Sequence, residues 1–259
     1  MLGWFLLRLE LERWRRAGMR PCFWWRDDDA QALTGPLCRL LQVAKAAGAP
    51  LALAVVPGSL DPALPGVINA HPNITVVQHG VYHRNDGPSG HPHEFAAALI
   101  PAEVSARLLA GWRALAAFTR RAPVYVPPWN QLPPNVAEAL TGASLTAVSA
   151  WGGEASATRV DTHLDLLRWQ PRPRFKGRDR LLNQLVRALA HRRLEQKWRQ
   201  PIGLLSHHLD HDHAAWSFLE ALLHYRPLRE QSDWLSIDSL LDLDVGLDLG
   251  LDQELRPCA

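Results

Sequence analysis

Phe23-Trp24-Trp25-Arg26-Asp27-Asp28-Asp29-Ala30 is an aromatic run that ends in three adjacent carboxylates. With Cys22 in front, the first half has the composition of a buried strand. The second half falls at that strand's carboxyl end, where α/β folds keep their ligands. Three neighbouring like charges repel, so something must offset them: solvent, Arg26 or a cation. A solvated acidic turn needs no aromatic strand before it. The stretch therefore reads as half of a site whose other half lies downstream.

Around this strand, expected over residues 21–27, the chain alternates between two periods. Apolar runs at 51–56, 74–78, 124–126, 145–148, 164–169 and 202–205 read as strands. Helical spacing runs over 34–47, 61–70, 101–119, 136–140, 179–200 and 214–224, and a strand-and-helix pair is expected over 234–241. A helix over 2–17, with Leu2, Phe5, Leu6, Leu9 and Trp14 as its apolar stripe, is expected on the outside. Strands alternating with helices imply an α/β fold with a mainly parallel sheet, open or closed to a barrel. Polar clusters follow the strands. This puts Asp28, Asp29, His79, His83, Pro128, Trp129, His207 and His208 on one face, the face that carries the chemistry of barrel enzymes.

The 259 residues, 47% hydrophobic and 21% charged, suit one domain over 1–241, including an N-terminal helix within 1–18. Residues 242–259 form a low-complexity Leu/Asp/Gly tail. A net charge of +2 argues against a nucleic-acid partner. No apolar run reaches membrane length, so no membrane partner is expected. The start of the chain lacks a basic segment and a cleavage site, and three Cys make no disulfide framework or CxxC pattern. The expectation is a cytoplasmic protein. Twelve His and eleven Trp suggest a site with aromatic walls.

Asp29, His79 and His83 supply one hard oxygen and two imidazoles, leaving a fourth position for water, as catalytic zinc sites do. Gly80 makes the turn between the two His easy. Asp28 could take a proton from that water, and His207 or His208 could give one to a leaving group. These parts describe metal-assisted hydrolysis of an amide or ester. The competing reading, in which the His are ordinary loop groups and the acids cap a helix, holds for any one pair but less well for three clusters together. His91 and His93 read as exposed loop residues, with a second metal site or substrate clamp as the alternative. The cations Arg172, Arg174, Lys176, Arg178 and Arg180 read as solvated charge, or else as a grip on an anionic sugar or phosphate.

The ordered clusters resemble the polysaccharide deacetylase (NodB-homology, carbohydrate esterase 4-like) family. Arg26-Asp27-Asp28-Asp29-Ala30 is similar to its Thr-Phe-Asp-Asp-Gly motif, and His79-Gly80-Val81-Tyr82-His83 to its His-Ser/Thr-x-x-His motif. Val126-Pro127-Pro128-Trp129 and Leu205-Ser206-His207 are similar to its Arg-Pro-Pro-Tyr and Leu-x-His motifs. The resemblance implies an irregular (β/α) barrel of six to eight strands that acts as a metal-dependent deacetylase of an acetylated carbohydrate. It implies Zn2+ held by Asp29, His79 and His83, Asp28 as base and His207 as acid. Pro128, Trp129, Arg26 and His208 would lie toward substrate or oxyanion. Two departures stand out. The family's Arg that braces the base is Val126 here, and its fourth-motif Asp and Trp have no clear partner, although Trp151 is a candidate wall. Arg26 or Arg84 could supply the lost charge. An amide hydrolase acting on a small nitrogen compound, or an inactive glycan-binding descendant, are the alternatives.

Overall fold

In the computed structural model, which describes residues 2–243, β1 (Cys22–Ala30) runs three residues past its expected end and carries all three acids within the strand. It is flanked by β2 (Leu51–Val55) and β9 (Ile202–Ser206), both parallel to it. Outward from β2 follow β3 (Ile74–His79), β4 (Arg121–Val126) and β5 (Ala147–Val148); beyond β9 lies β6 (Leu164–Asp165). The chain just before β6 pairs with β5 and the residues after it through the parallel bridges Val148–Arg159 and Trp151–Thr162. The sheet therefore curls into an irregular barrel whose seam is held by isolated bridges. β10 (Asp233–Trp234) pairs with the first residues of β1.

Helices α2 (Gly35–Ala47), α3 (Leu64–Ile68), α4 (Pro101–Ala114), α5 (Pro134–Ala139), α6 (Arg178–Leu194), α7 (His213–Leu223) and α8 (Arg226–Gln231) fall between or after the strands. Thr34 caps α2 by accepting from Leu37 N–H, and Asp212 caps α7 through Ala215 N–H. Strand residues alternate between two cores. Phe23, Trp25, Leu53 and Val76 face the helices, while Trp24, Ala52, Ala54, Val77, Val124 and Ala147 fill the barrel. Alanine is frequent inside because Trp24 already occupies much of a narrow interior. The last described helix, α9 (Ile237–Leu241), adds Ile237 and Leu240 to this inner cluster.

Several expected elements differ. The strand over 164–169 is broken: β6 joins the barrel, and β7 (Leu167–Arg168) forms a separate antiparallel pair with β8 (Arg174–Phe175). The helix after Pro101 ends at Ala114 and tightens to a 3-10 turn over Leu115–Ala117. α6 spans Arg178–Leu194 rather than 179–200. In α1 (Leu2–Arg16) the buried face is Gly3, Leu7, Glu10, Leu11 and Trp14, while Leu2, Phe5 and Leu9 are exposed. The rotation has a cause. Buried Glu10 pairs with Arg193 of α6 at 2.6 Å, and Gly3 sits where a side chain would meet Leu182. Among the described residues no helix is long and apolar enough to cross a membrane. The tail from residue 244 lies outside the described residues.

Candidate active site

The three consecutive acids have three separate partners. Arg26 and Asp28 are two residues apart, so in a strand they share a face. Arg26 Nε donates to Asp28 Oδ1 at 2.8 Å and Nη2 to Oδ2 at 3.0 Å, a bidentate pair buried inside the barrel. Asp27 points to the other face. It accepts from Ser206 Oγ and is paired with His208 Nδ1. Burial would push the Asp27 carboxyl up, but the His208 charge and hydrogen bond outweigh it, and the net shift is down. His208 moves the opposite way: burial lowers it, yet Asp27 raises it overall.

Asp29 breaks the alternation. β1 advances three residues between Asp27 and Ala30 while β2 advances two, from Leu53 to Val55, so β1 carries a bulge there. Asp29 holds left-handed backbone, with φ 72°. Its Oδ1 lies 3.2 Å from His79 Nε2 and 3.3 Å from His83 Nε2. These donor atoms all lie within 4.8 Å of one another. His79 Nδ1–H donates to Val126 O at 3.0 Å, while Nε2 faces Asp29 and is the ring nitrogen available to a cation once it gives up its proton. Burial alone would raise Asp29, but the His79 hydrogen bond and the charges of His79, His207 and His83 hold it well below the carboxylate range. For His79, burial is outweighed by Asp28 and Asp29 and the shift is up; for His83, burial and the neighbouring His79 charge drive it down.

The turn from His79 to His83 is held by a residue that sequence reasoning missed. Buried Glu94 accepts from Val81 N–H at 2.8 Å and Tyr82 N–H at 2.7 Å. Gly80, with φ 58°, is required here: a Cβ would come within 2.1 Å of Glu94 Oε2 and 2.7 Å of Pro128 Cγ. Burial raises the Glu94 carboxyl. Glu94 lies in a polar loop with nothing local to mark it.

Above this set is a cavity of about 660 Å³ whose lining includes Asp28, Asp29, His79, His83, Trp129 and His207. His207 Nε2 is 3.8 Å from Asp28 Oδ2. Its ring meets Trp169 edge-on, centroids 4.5 Å apart, and its Nδ1 is buried without a hydrogen-bond partner among the described residues. Trp169 Nε1 donates to Asp165 Oδ2 at 2.9 Å. Trp129 and Asn130 both hold left-handed backbone, at φ 55° and 56°. That turn brings the Trp129 ring to 4.6 Å from His83 and gives Arg26 Nη2 the Asn130 Oδ1 acceptor at 2.8 Å. Pro128 is buried beneath it. Tryptophan rarely adopts this backbone, and such strain concentrates where a site imposes it.

No protein-family model and no curated protein matches the chain. Solved structures do. A Mycobacterium smegmatis protein provisionally described as a polysaccharide deacetylase superposes with a TM-score of 0.59 at 15% identity, over 86% of this chain and 81% of that one. The fold is that of the polysaccharide deacetylases. The Bc1960 peptidoglycan N-acetylglucosamine deacetylase matches at TM-score 0.56 and 11% identity, covering 85% of this chain and 87% of its own. A carbohydrate esterase family 4 pseudoenzyme from Bacillus anthracis matches at 0.57 and 15%, covering 86% and 66%.

On this deacetylase fold, three of the four expected substrate contacts, Pro128, Arg26 and His208, do not line the cavity. Arg26 does not reach the cavity. It is fully buried, and its Nη1 donates to Ser149 O and Ser149 Oγ, both at 2.7 Å, so the guanidinium braces Asp28 from within the barrel. His208 is turned to Asp27 on the opposite face of β1, so of these two neighbours only His207 lines the cavity. Arg84, the other candidate for the missing charge, is exposed and pairs with Asp86. His91 is exposed, and His93 bonds to Phe95 O; neither lines the cavity. Ser149, Asn130, Asp165 and Trp169 were not singled out by the sequence. Only the Asp165/Trp169 spacing carried a trace of signal, hidden in a stretch read as one strand.

Proposed function

We propose that the protein is a metal-dependent deacetylase that hydrolyses an acetyl amide or ester on a carbohydrate. The observation that supports this best is the convergence of Asp29, His79 and His83 between Asp28 on one side and His207 on the other. The donor set fits a divalent cation: one carboxylate oxygen and two Nε2 atoms within 4.8 Å, with the His79 tautomer set by Val126. Zn2+ suits two imidazoles and a carboxylate. When bound, the ion would polarise the acyl carbonyl and make water a better nucleophile.

The remaining roles belong to the chain. Asp28, aligned by both arms of Arg26, takes the proton of the attacking water. His207 gives a proton through Nε2 to the departing nitrogen or oxygen. Pro127 and Pro128 have no N–H, so the first donor after β4 that can meet a developing oxyanion is Trp129 N–H. Trp129, Trp151 and Trp169 wall the cavity and offer faces for a sugar ring. A cavity of about 660 Å³ falls in the range of small-molecule sites and has room for one or a few sugar units.

The inactive-descendant reading was motivated by Val126. Arg26 supplies the brace that position would have given, which favours a working base. The reading is tested by measuring acetate release from N-acetylated and O-acetylated mono- and oligosaccharides, with chelator and with Zn2+, Co2+, Mn2+ or Ni2+ restored. Release that chelation abolishes and a metal restores is expected. No release from any acetylated sugar with any of these metals would overturn it.

A further inference from the structure

The rim of the cavity carries cations with no carboxylate partner. β7 and β8 are two residues each, and their register sets Arg168 directly opposite Arg174. Like charges facing across an antiparallel pair destabilise it. No acid among the described residues pairs with either guanidinium, nor with Arg180, three residues into α6. Arg168 feels the cost: desolvation, then Arg174 and Arg180, lower its pKa. Beside it, Lys176 Nζ lies 5.9 Å from the centre of the Trp151 ring. Arg168 and Lys176 both line the cavity.

The acids of the cavity are already engaged. Asp28 is held by Arg26 and Asp29 by the two His. Asp165 accepts from Leu167 N–H at 2.8 Å with one oxygen and from Trp169 Nε1 with the other. The positive charge is thus left for something that enters. A guanidinium matches the fork of a carboxylate or phosphate, and an ammonium adds a point charge.

We propose that this rim is an anion subsite, so that the substrate is an acylated sugar bearing a phosphate or carboxylate on the part that lies against Arg168 and Lys176. The acyl end of this statement rests on the deacetylase reading; the anion end rests on the rim alone.

The test separates the two. Binding of glucosamine, glucosamine 6-phosphate, glucosamine 1-phosphate and muramic acid is measured by calorimetry on the full-length protein, on an Arg168→Ala/Arg174→Ala double variant and on Lys176→Ala. Acetate release is followed in parallel with the N-acetylated forms. All three positions are at least partly exposed, so the variants are expected to fold. At least one anionic sugar should bind ten-fold or more tighter than glucosamine, with the advantage shrinking as NaCl rises and lost in the double variant. The phosphate and carboxylate arms identify the anion. Equal binding of all four sugars would overturn the subsite. So would a preference that survives undiminished in both the double variant and Lys176→Ala, because the anion would then lie away from this rim. Anion preference without acetate release from any sugar would sink the deacetylase reading and leave the subsite standing.

Discussion

Asp27, Asp28 and Asp29 are identical in chemistry and adjacent in sequence, yet they meet different partners because a strand turns successive side chains to opposite faces and the bulge after Asp28 re-aims Asp29. On the deacetylase reading, Asp28→Asn is expected to keep metal binding while lowering kcat by about 10²- to 10⁴-fold, the usual cost of losing a general base; metal analysis beside acetate release checks both halves. Arg26→Gln leaves Asp28 as an unpaired buried charge and is expected to destabilise the fold by about 3–5 kcal/mol, measured by urea unfolding. His79→Ala is expected to abolish stoichiometric metal binding, whereas Arg84→Ala, at an exposed surface pair, is expected to change neither metal content nor rate. The acid run and the His pair were legible in sequence because like charges and paired imidazoles need partners. The Arg26 brace was not, because it depends on the side-chain face and on Ser149 and Asn130, more than a hundred residues away.

At the scale of elements, the continuous apolar runs announced buried parallel strands, which need no alternation when both faces are covered. Short polar elements were not legible. The turn over His79–His83 takes its shape from Glu94, and the face that α1 buries is chosen by Arg193 and Leu182, both long-range. Gly80→Ala is expected to cost more than a loss of backbone freedom, since the new methyl strikes Glu94; a fall in metal affinity exceeding the change in Tm would show that the turn itself has moved. The seam offers a pH test. His163 accepts from Gly203 N–H through Nδ1 and donates to Gly153 O through Nε2. Burial, reinforced by Arg192, lowers its pKa from 6.5 to about 4; only the Gly153 bond and Asp161 oppose this. The unfolded chain therefore takes up this proton first. The His163 contribution is present in full above pH 6.5 and is lost as pH falls toward 4, up to about 3 kcal/mol. In His163→Gln the fall in Tm across that window is expected to be shallower than in wild type.

On the scale of the whole molecule, the barrel gathers residues distant in sequence at one end: β1, β3 and β9 and their ends bring the acids and imidazoles, and the segments after β4, β5 and β6 bring the aromatic walls. A divalent ion bound only by the folded chain stabilises it by about 2.7 kcal/mol at a hundred-fold excess over its dissociation constant. Chelation is accordingly expected to lower Tm in wild type and to leave His79→Ala unmoved.

The three acids of β1 are joined by two peptide bonds, and each governs a different partner. Asp29 meets the two imidazoles, Asp28 faces the cavity, and Asp27 grips Ser206 and His208, the residues on either side of His207. Their spacing is therefore covalent, about 3.8 Å from one Cα to the next, and owes nothing to loops. On the deacetylase reading, loops around the rim are then free to drift over evolutionary time, changing which sugar is admitted while these three positions stay fixed.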